Sequence, residues 1–164
     1  MGAKTKSNID IFLRCRPVAA NSSHFVADAP NGLARFQIPK DKSQGYVNNQ
    51  REQYEFKFSG IIEENAKQDE VFERVARKTV QHALEGMNGT IFAYGQTGSG
   101  KTYTITGGSE RYVDRGMIPR AISAIFSDLG KRSGEQFQVH VSYLEIYNNM
   151  GYDLLDPDRE IKML

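Results

Sequence analysis

Cysteine is nearly absent from this sequence, and neither sign of charge is in excess. Cys15 is the only cysteine among 164 residues, so no disulfide can form within the chain. A single thiol is typical of a reducing, intracellular setting. The 21 lysines and arginines nearly balance 20 aspartates and glutamates, which gives a formal net charge of +1. Without a general basic field, the sequence predicts no binding to nucleic acid or to a membrane surface.

Long apolar runs are missing as well. No stretch reaches the roughly 18 apolar residues that a bilayer-spanning helix needs. Residues 1–7 are polar and basic, and no apolar signal core follows them. We therefore expect a protein of the cytoplasm or cytoskeleton. The composition, 39% hydrophobic and 25% charged, is that of an ordinary folded domain, and the length predicts a single one.

Alternating apolar residues predict four strands, and a short apolar run predicts a fifth. In chain order these are residues 8–14, 33–39, 54–58, 90–94 and 137–148. The second and third are expected to form a small antiparallel pair with a long polar connection, residues 41–53. The fourth is a short apolar run and is expected to be buried. Residues 18–30 have no clear period and are predicted to be a loop.

Apolar residues spaced three and four apart predict two helices. The first has Asn65 as its expected cap, an apolar face across residues 71–84, and a stop at Gly86. The second starts at Ile118, with Pro119 in its first turn. Strand, helix, strand, helix, strand is the order of a doubly wound α/β sheet with helices on both faces. The small antiparallel pair would form a subdomain beside it.

A glycine-rich segment lies between the fourth strand and the next predicted helix. Its residues match the phosphate-binding pattern G-x-x-x-x-G-K-[ST]: Gly95, Gln96, Thr97, Gly98, Ser99, Gly100, Lys101 and Thr102. The glycines let the chain turn tightly and aim main-chain N–H groups at phosphate oxygens. Lys101 can reach the β- and γ-phosphates, and the Thr102 hydroxyl can ligate Mg²⁺. The alternative is an ordinary glycine-rich turn. Such a turn would require neither a strand before it nor a helix after it, so the context favours a phosphate-binding loop.

The segments around this loop resemble the kinesin motor domain. They are residues 89–94 before the loop, Arg14-Cys15-Arg16-Pro17, Ile118-Pro119-Arg120, residues 142–148 and Asp153-Leu154-Leu155. Order and spacing agree from Ile9 to about Asp156. Residues 46–52 and 106–116 are similar to kinesin family nine, which is associated with cilia and flagella. At Asn149 the sequence departs from the family, where an acidic residue often stands.

The resemblance implies an ATP or ADP site with Mg²⁺ and a microtubule partner. Arg14, Arg16 and Pro17 would border the adenine pocket, and Tyr103 would stack on the purine. An aromatic ring and an arginine both suit a flat base. The implied fold is of the P-loop nucleotidase type. The implied location is the cytoskeleton. The similarity to family nine further implies a location in the axoneme and axonemal proteins as partners.

Neither kinesin switch segment occurs in these 164 residues. One is rich in Asn, Ser, Arg and His, and the other is built on Asp-Leu-Ala-Gly; such segments position the attacking water and a carboxylate near Mg²⁺. We therefore expect residues 1–164 to be the N-terminal part of a motor domain, with no catalytic residue of its own. The alternative is a non-motile nucleotide-binding or structural component of a microtubule or axonemal assembly. A small-molecule kinase is disfavoured, because about 90 residues precede the loop.

The 164-residue chain should accordingly be a poor ATPase and a weak microtubule binder, because the groups that complete hydrolysis are not in it. Steady-state phosphate release, measured with and without assembled microtubules, checks the first expectation, and co-sedimentation checks the second. Phosphate release that rises strongly when microtubules are added would contradict both.

Overall fold

The computed structural model describes residues 9–19, 22–39, 51–156, 158 and 160–161. The chain divides into two compact units, Met1–Ser127 and Asp128–Leu164. None of the helices in the described ranges is long and apolar enough to cross a bilayer. The strands are β1 Phe12–Arg14, β2 Phe25–Asp28, β3 Leu33–Gln37, β4 Gln53–Lys57, β5 Gly60–Ile62, β6 Leu144–Tyr147, β7 Met150–Asp153 and β8 Glu160–Ile161. The α-helices are α1 Gln68–Val71, α2 Arg77–Leu84, α3 Lys101–Ile105 and α4 Met117–Leu129.

A three-stranded antiparallel sheet, β2-β3-β4, forms the small β part of the first unit. The predicted pair is confirmed as β3 and β4, in which Phe36 lies opposite Tyr54. The loop predicted at residues 18–30 is wrong in part, because β2 pairs with β3 and places Phe25 opposite Phe36, with ring centroids 4.9 Å apart. A four-residue strand gains its stability from such cross-strand contacts, which the local pattern does not reveal. Most of the predicted connection, residues 41–53, lies outside the described residues.

β1 and β5 form a parallel pair, with Leu13 opposite Ile61. The strand predicted at residues 8–14 is therefore shorter in the structure, and Asn8 lies outside the described residues. Main-chain bonds extend the pairing at both ends: the Ser59 N–H donates to Ile11 O (2.7 Å) and the Cys15 N–H to Ile62 O (2.8 Å). This pair carries the Arg14 side chain toward the glycine loop.

One helical segment crosses the core from Gln68 to Leu84. α1 passes through a π-helical turn, Phe72–Ala76, into α2. The expected cap at Asn65 is wrong, because the helix begins at Gln68 with Lys67 before it and no side-chain cap bond. The stop at Gly86 is confirmed: its N–H donates to Ala83 O (3.1 Å), and the Met87 N–H donates to His82 O (2.9 Å). These two bonds form a Schellman motif, which needs the left-handed backbone of Gly86 (φ 91°).

The core of the first unit joins β5, the helical segment and α4. Its buried members are Ile62, Val71, Phe72, Ala76, Val80 and Met117. α4 begins at Met117, so Pro119 lies in its first turn as predicted. Ala121, Ala124 and Ile125 of α4 pack against this cluster, together with Ile91. The apolar face predicted for α4 is thus confirmed only in part, because Ala121 and Ile125 contact the core whereas Ile118, Ile122 and Phe126 of the same predicted face are exposed.

The second unit contains the β6-β7-β8 sheet. Only β6 remains of the strand predicted at residues 137–148. β6 and β7 form a hairpin in which Tyr147 pairs with Met150. The two residues between them, Asn148 (φ 48°) and Asn149 (φ 62°), have left-handed backbone. Two-residue hairpin loops favour this backbone, and asparagine tolerates it well. The departure at Asn149 thus has a structural explanation.

The prediction of a buried strand at residues 90–94 is wrong for this structure. Within the described ranges these residues pair with no strand, and Phe92 and Tyr94 are 77% and 95% exposed. A parallel strand needs hydrogen-bonding neighbours along its edges, and β1–β5 is the one parallel pair among the described strands. The mixed α/β character is confirmed, whereas the doubly wound sheet stays a prediction.

Replacement of Ile62 by alanine should destabilise the first unit by about 2–5 kcal/mol, because it leaves a cavity in the core. Ile62 is 1% exposed. The control is Ile38→Ala, since Ile38 is 53% exposed and its truncation removes little buried surface. Urea denaturation of the two variants and the parent measures the difference. Equal losses in the two variants would show that Ile62 does not lie in the core.

Candidate functional site

The glycine loop, residues 95–102, turns at its centre and leads directly into α3. The Ser99 N–H donates to Gln96 O (3.1 Å), which closes the turn, and the Thr104 N–H donates to Gly100 O (2.9 Å), which starts the helix. Gly98 (φ 79°) and Gly100 (φ 99°) have left-handed backbone. Glycine adopts this backbone without strain, whereas other residues do so at a cost. The loop pattern therefore contains the glycines that its conformation requires.

The Lys101 side chain folds back over the glycine loop. Its Nζ donates to Gly95 O (2.8 Å) and to Gln96 O (3.0 Å). An ammonium group has three donors, so one donor beyond these two bonds can serve a phosphate oxygen. α3 spans only Lys101–Ile105, and its helix dipole is correspondingly short. The formal charge of the Lys101 ammonium group therefore outweighs the contribution of this helix dipole.

The end of β1 lies against the glycine loop. Arg16 donates from Nη1 to Gly98 O. Pro17 follows and is exposed. The structure thus brings Arg16, which is 82 residues from Gly98 in the sequence, into direct contact with the loop.

Arg14 contacts two neighbouring residues of α3, Thr104 and Tyr103. Its Nη1 donates to Thr104 Oγ1 (2.8 Å), and its guanidinium carbon lies 5.4 Å from the centre of the Tyr103 ring. Burial lowers the pKa of Arg14, and the neighbouring Tyr103 phenol acts in the opposite direction. Arginine stays protonated even so. Arg14 thus contacts Tyr103, and Arg16 contacts the glycine loop at Gly98 O; the single pocket that would join these residues with Pro17 stays a prediction.

Sequence reasoning missed Gln68, whose side chain joins these parts. Gln68 is 3% exposed and is the one buried polar residue among those described. Its Oε1 accepts from Arg14 (3.0 Å), and its Nε2 donates to Tyr103 O (2.6 Å) and Asp114 O (3.0 Å). Its spacing could have indicated burial. Gln68 lies three residues before Val71 and therefore falls on the apolar face of the helix.

Residues 106–116 close into a loop next to Tyr103. The Gly116 N–H donates to Thr106 O and the Gly108 N–H to Asp114 O, each at 2.9 Å. The Asp114 carboxylate accepts from Arg111 Nε (2.6 Å) and from the Tyr103 hydroxyl (3.4 Å). The segment that resembles kinesin family nine is therefore in contact with the predicted base pocket.

Thr102 is the residue of the loop that suits a magnesium ion. It is exposed at the second position of α3. The described residues contain no cluster of three or more His, Cys, Asp or Glu side chains that could hold a metal. Mg²⁺ commonly takes one or two protein oxygens and completes its shell with phosphate oxygens and water. A single hydroxyl beside a phosphate-binding loop fits an ion that arrives together with a nucleotide.

The glycine loop, the lysine folded over it and the flanking arginine–tyrosine pair have the form of a P-loop site. A family model described as the kinesin motor domain matches residues 14–164. The chain belongs to the kinesin motor domain family.

Individual relatives agree with this assignment. The chain is 45% identical to Kinesin-like protein KLP1 of Chlamydomonas reinhardtii over 150 residues, 92% of this chain. It is 43% identical to Kinesin-like protein KIF9 of Mus musculus and 40% identical to Kinesin-like protein KIF9 of Homo sapiens. Each of these two alignments covers 92% of this chain. The expected similarity to kinesin family nine is thus confirmed. The chain spans 19% of the length of each of these three relatives.

The Gly100→Ala and Gly86→Ala variants should each lose about 1–2 kcal/mol of stability, because alanine is strained at positive φ. The two glycines are matched, with φ of 99° and 91°, and a Cβ at either would meet nothing within 4 Å. Only Gly100→Ala should also weaken Mg·ATP binding, since relief of its strain moves the loop. Urea denaturation and calorimetric titration measure the two effects. Equal weakening of binding in both variants would contradict a specific role for the loop.

Proposed function

We propose that this chain is the ATP-binding part of a kinesin-like microtubule motor. The observation that carries the proposal is the Lys101 ammonium group held over the glycine loop by Gly95 O and Gln96 O. Membership in the kinesin family supports it independently.

The phosphate end of the proposed site is formed by residues 95–102. The main-chain N–H groups of a glycine-rich turn bind anionic oxygens well, because they point outward together. The Lys101 ammonium group adds the charge that a triphosphate tail needs, and it stabilises the transferring phosphoryl group. The Thr102 hydroxyl would hold Mg²⁺, which in turn neutralises charge on the β- and γ-phosphates.

The base end is formed by Arg14, Arg16, Pro17 and Tyr103. Tyr103 is 45% exposed, so a face of its ring is accessible. The Arg14 guanidinium lies over the same ring, and a planar cation beside an aromatic ring suits a purine. Arg16 contacts Gly98 O and so links the base end to the phosphate end.

We propose motor activity for the whole protein and not for these 164 residues alone. In the complete domain, ATP hydrolysis would drive movement along microtubules, with the main tubulin contacts and both switch segments outside these 164 residues. The similarity to kinesin family nine supports a location on the cytoskeleton, in cilia or flagella, and a partnership with axonemal proteins. A non-motile role in such an assembly is the second candidate, because a nucleotide site of this kind does not by itself imply movement. Microtubule-stimulated phosphate release by the full-length protein would decide for the motor.

The Lys101→Ala variant should bind Mg·ATP roughly 10–100-fold more weakly, because a charge-assisted bond contributes about 1.5–3 kcal/mol. Lys78→Ala is the matched control, since Lys78 is exposed on α2, and its affinity should stay within about twofold of the parent. Isothermal titration calorimetry measures both.

Lys101→Met is a useful second variant, because it keeps the length of the side chain and removes only the charge. It should lose affinity as Lys101→Ala does. An affinity for Mg·ATP unchanged in both Lys101 variants would refute the proposed site.

A further inference from the structure

We infer that Gln68 is a positioning residue of the nucleotide site, which holds the Arg14 guanidinium against Tyr103 and so sets the affinity for the base. The inference rests on the proposed function, because it assigns a role within the same site.

The first argument is the geometry of the Gln68 amide. Its Oε1 accepts from Arg14 Nη1 at 3.0 Å. Its Nε2 donates at 2.6 Å to Tyr103 O, on the loop helix, and at 3.0 Å to Asp114 O, in the adjacent loop. The two Nε2 bonds fix the plane of the amide, and that plane aims Oε1 at the guanidinium.

The second argument is burial. An amide removed from water without partners costs a few kcal/mol, and Gln68 is 3% exposed. Rotation of the side chain would break three bonds at once, with little water to replace them. Gln68 is therefore a rigid support for Arg14.

The third argument concerns Arg14 itself. A long arginine side chain has many rotamers, and holding it in one of them costs entropy. Here the same Nη1 is held between Gln68 Oε1 and Thr104 Oγ1, and Thr104 Oγ1 donates in turn to Gly100 O (2.9 Å). These contacts place the guanidinium over the Tyr103 ring before any ligand binds. Such preorganisation raises affinity without a direct contact between Gln68 and the ligand.

The test compares two ligands, Mg·ATP and Mg·tripolyphosphate, which share the triphosphate and differ in the base and ribose. Gln68→Met keeps the size of the side chain and removes all three hydrogen bonds. It should weaken Mg·ATP binding roughly tenfold and change tripolyphosphate binding less than twofold. The matched control is Gln81→Met, because Gln81 is exposed on α2, and it should change neither.

A double-mutant cycle shows whether Gln68 acts through Arg14. In an Arg14→Ala background, Gln68→Met should have no further effect on Mg·ATP affinity, since interacting residues are not additive. Additive losses would overturn the inference. So would equal losses for both ligands, which would make Gln68 a support of the loop alone, and so would an unchanged affinity for Mg·ATP.

If Gln68→Met does not fold, Gln68→Glu replaces it in the test. A glutamate keeps an acceptor for Arg14 and loses the donors to Tyr103 O and Asp114 O. Because those two bonds fix the plane that aims the acceptor at Arg14, their loss should lower the ratio of Mg·ATP affinity to tripolyphosphate affinity roughly tenfold, and a ratio within about twofold of the parent would overturn the inference. A parent protein that binds neither ligand would refute the proposed function itself, an outcome distinct from all of these.

Discussion

The buried amide of Gln68 is the interaction on which the arrangement of the candidate site depends. It joins the end of β1 through Arg14, the loop helix through Tyr103 O, and the following loop through Asp114 O. All of its hydrogen bonds are made away from water, where an unsatisfied polar group is costly. The amide therefore constrains parts of the chain that the apolar core alone would leave able to shift.

The apolar core and this polar junction have different roles. Ile62, Val71 and Met117 pack β5, the helical segment and α4 together, and such packing tolerates small adjustments among side chains of similar volume. Hydrogen bonds do not, because their strength depends on distance and angle. The core thus supplies most of the stability, while the bonds of Gln68, Arg14 and Thr104 determine where the groups around the glycine loop lie.

Much of the candidate site could be predicted from the sequence, and much of the sheet could not. The glycine loop is contiguous, so one short stretch of sequence contained Gly98, Gly100 and Lys101 together. The helix stop at Gly86 and the start of α4 were equally local. Strand pairing is not local: β2 forms only because β3 lies beside it, and residues 90–94 pair with no strand among the described residues despite a suitable apolar run. Gln68 was missed because its partners are 35 to 54 residues away.

The sequence by itself determined the local chemistry of this protein: a turn that only glycines adopt without strain, a lysine at its end, and family motifs in the right order. Tertiary structure alone decided which distant side chains meet that turn. Arg16 reaches Gly98 O across 82 residues, and Arg14 reaches Thr104 across 90. The physical reason is that backbone conformation follows from neighbouring residues, whereas hydrogen bonds between distant segments depend on how the core packs them.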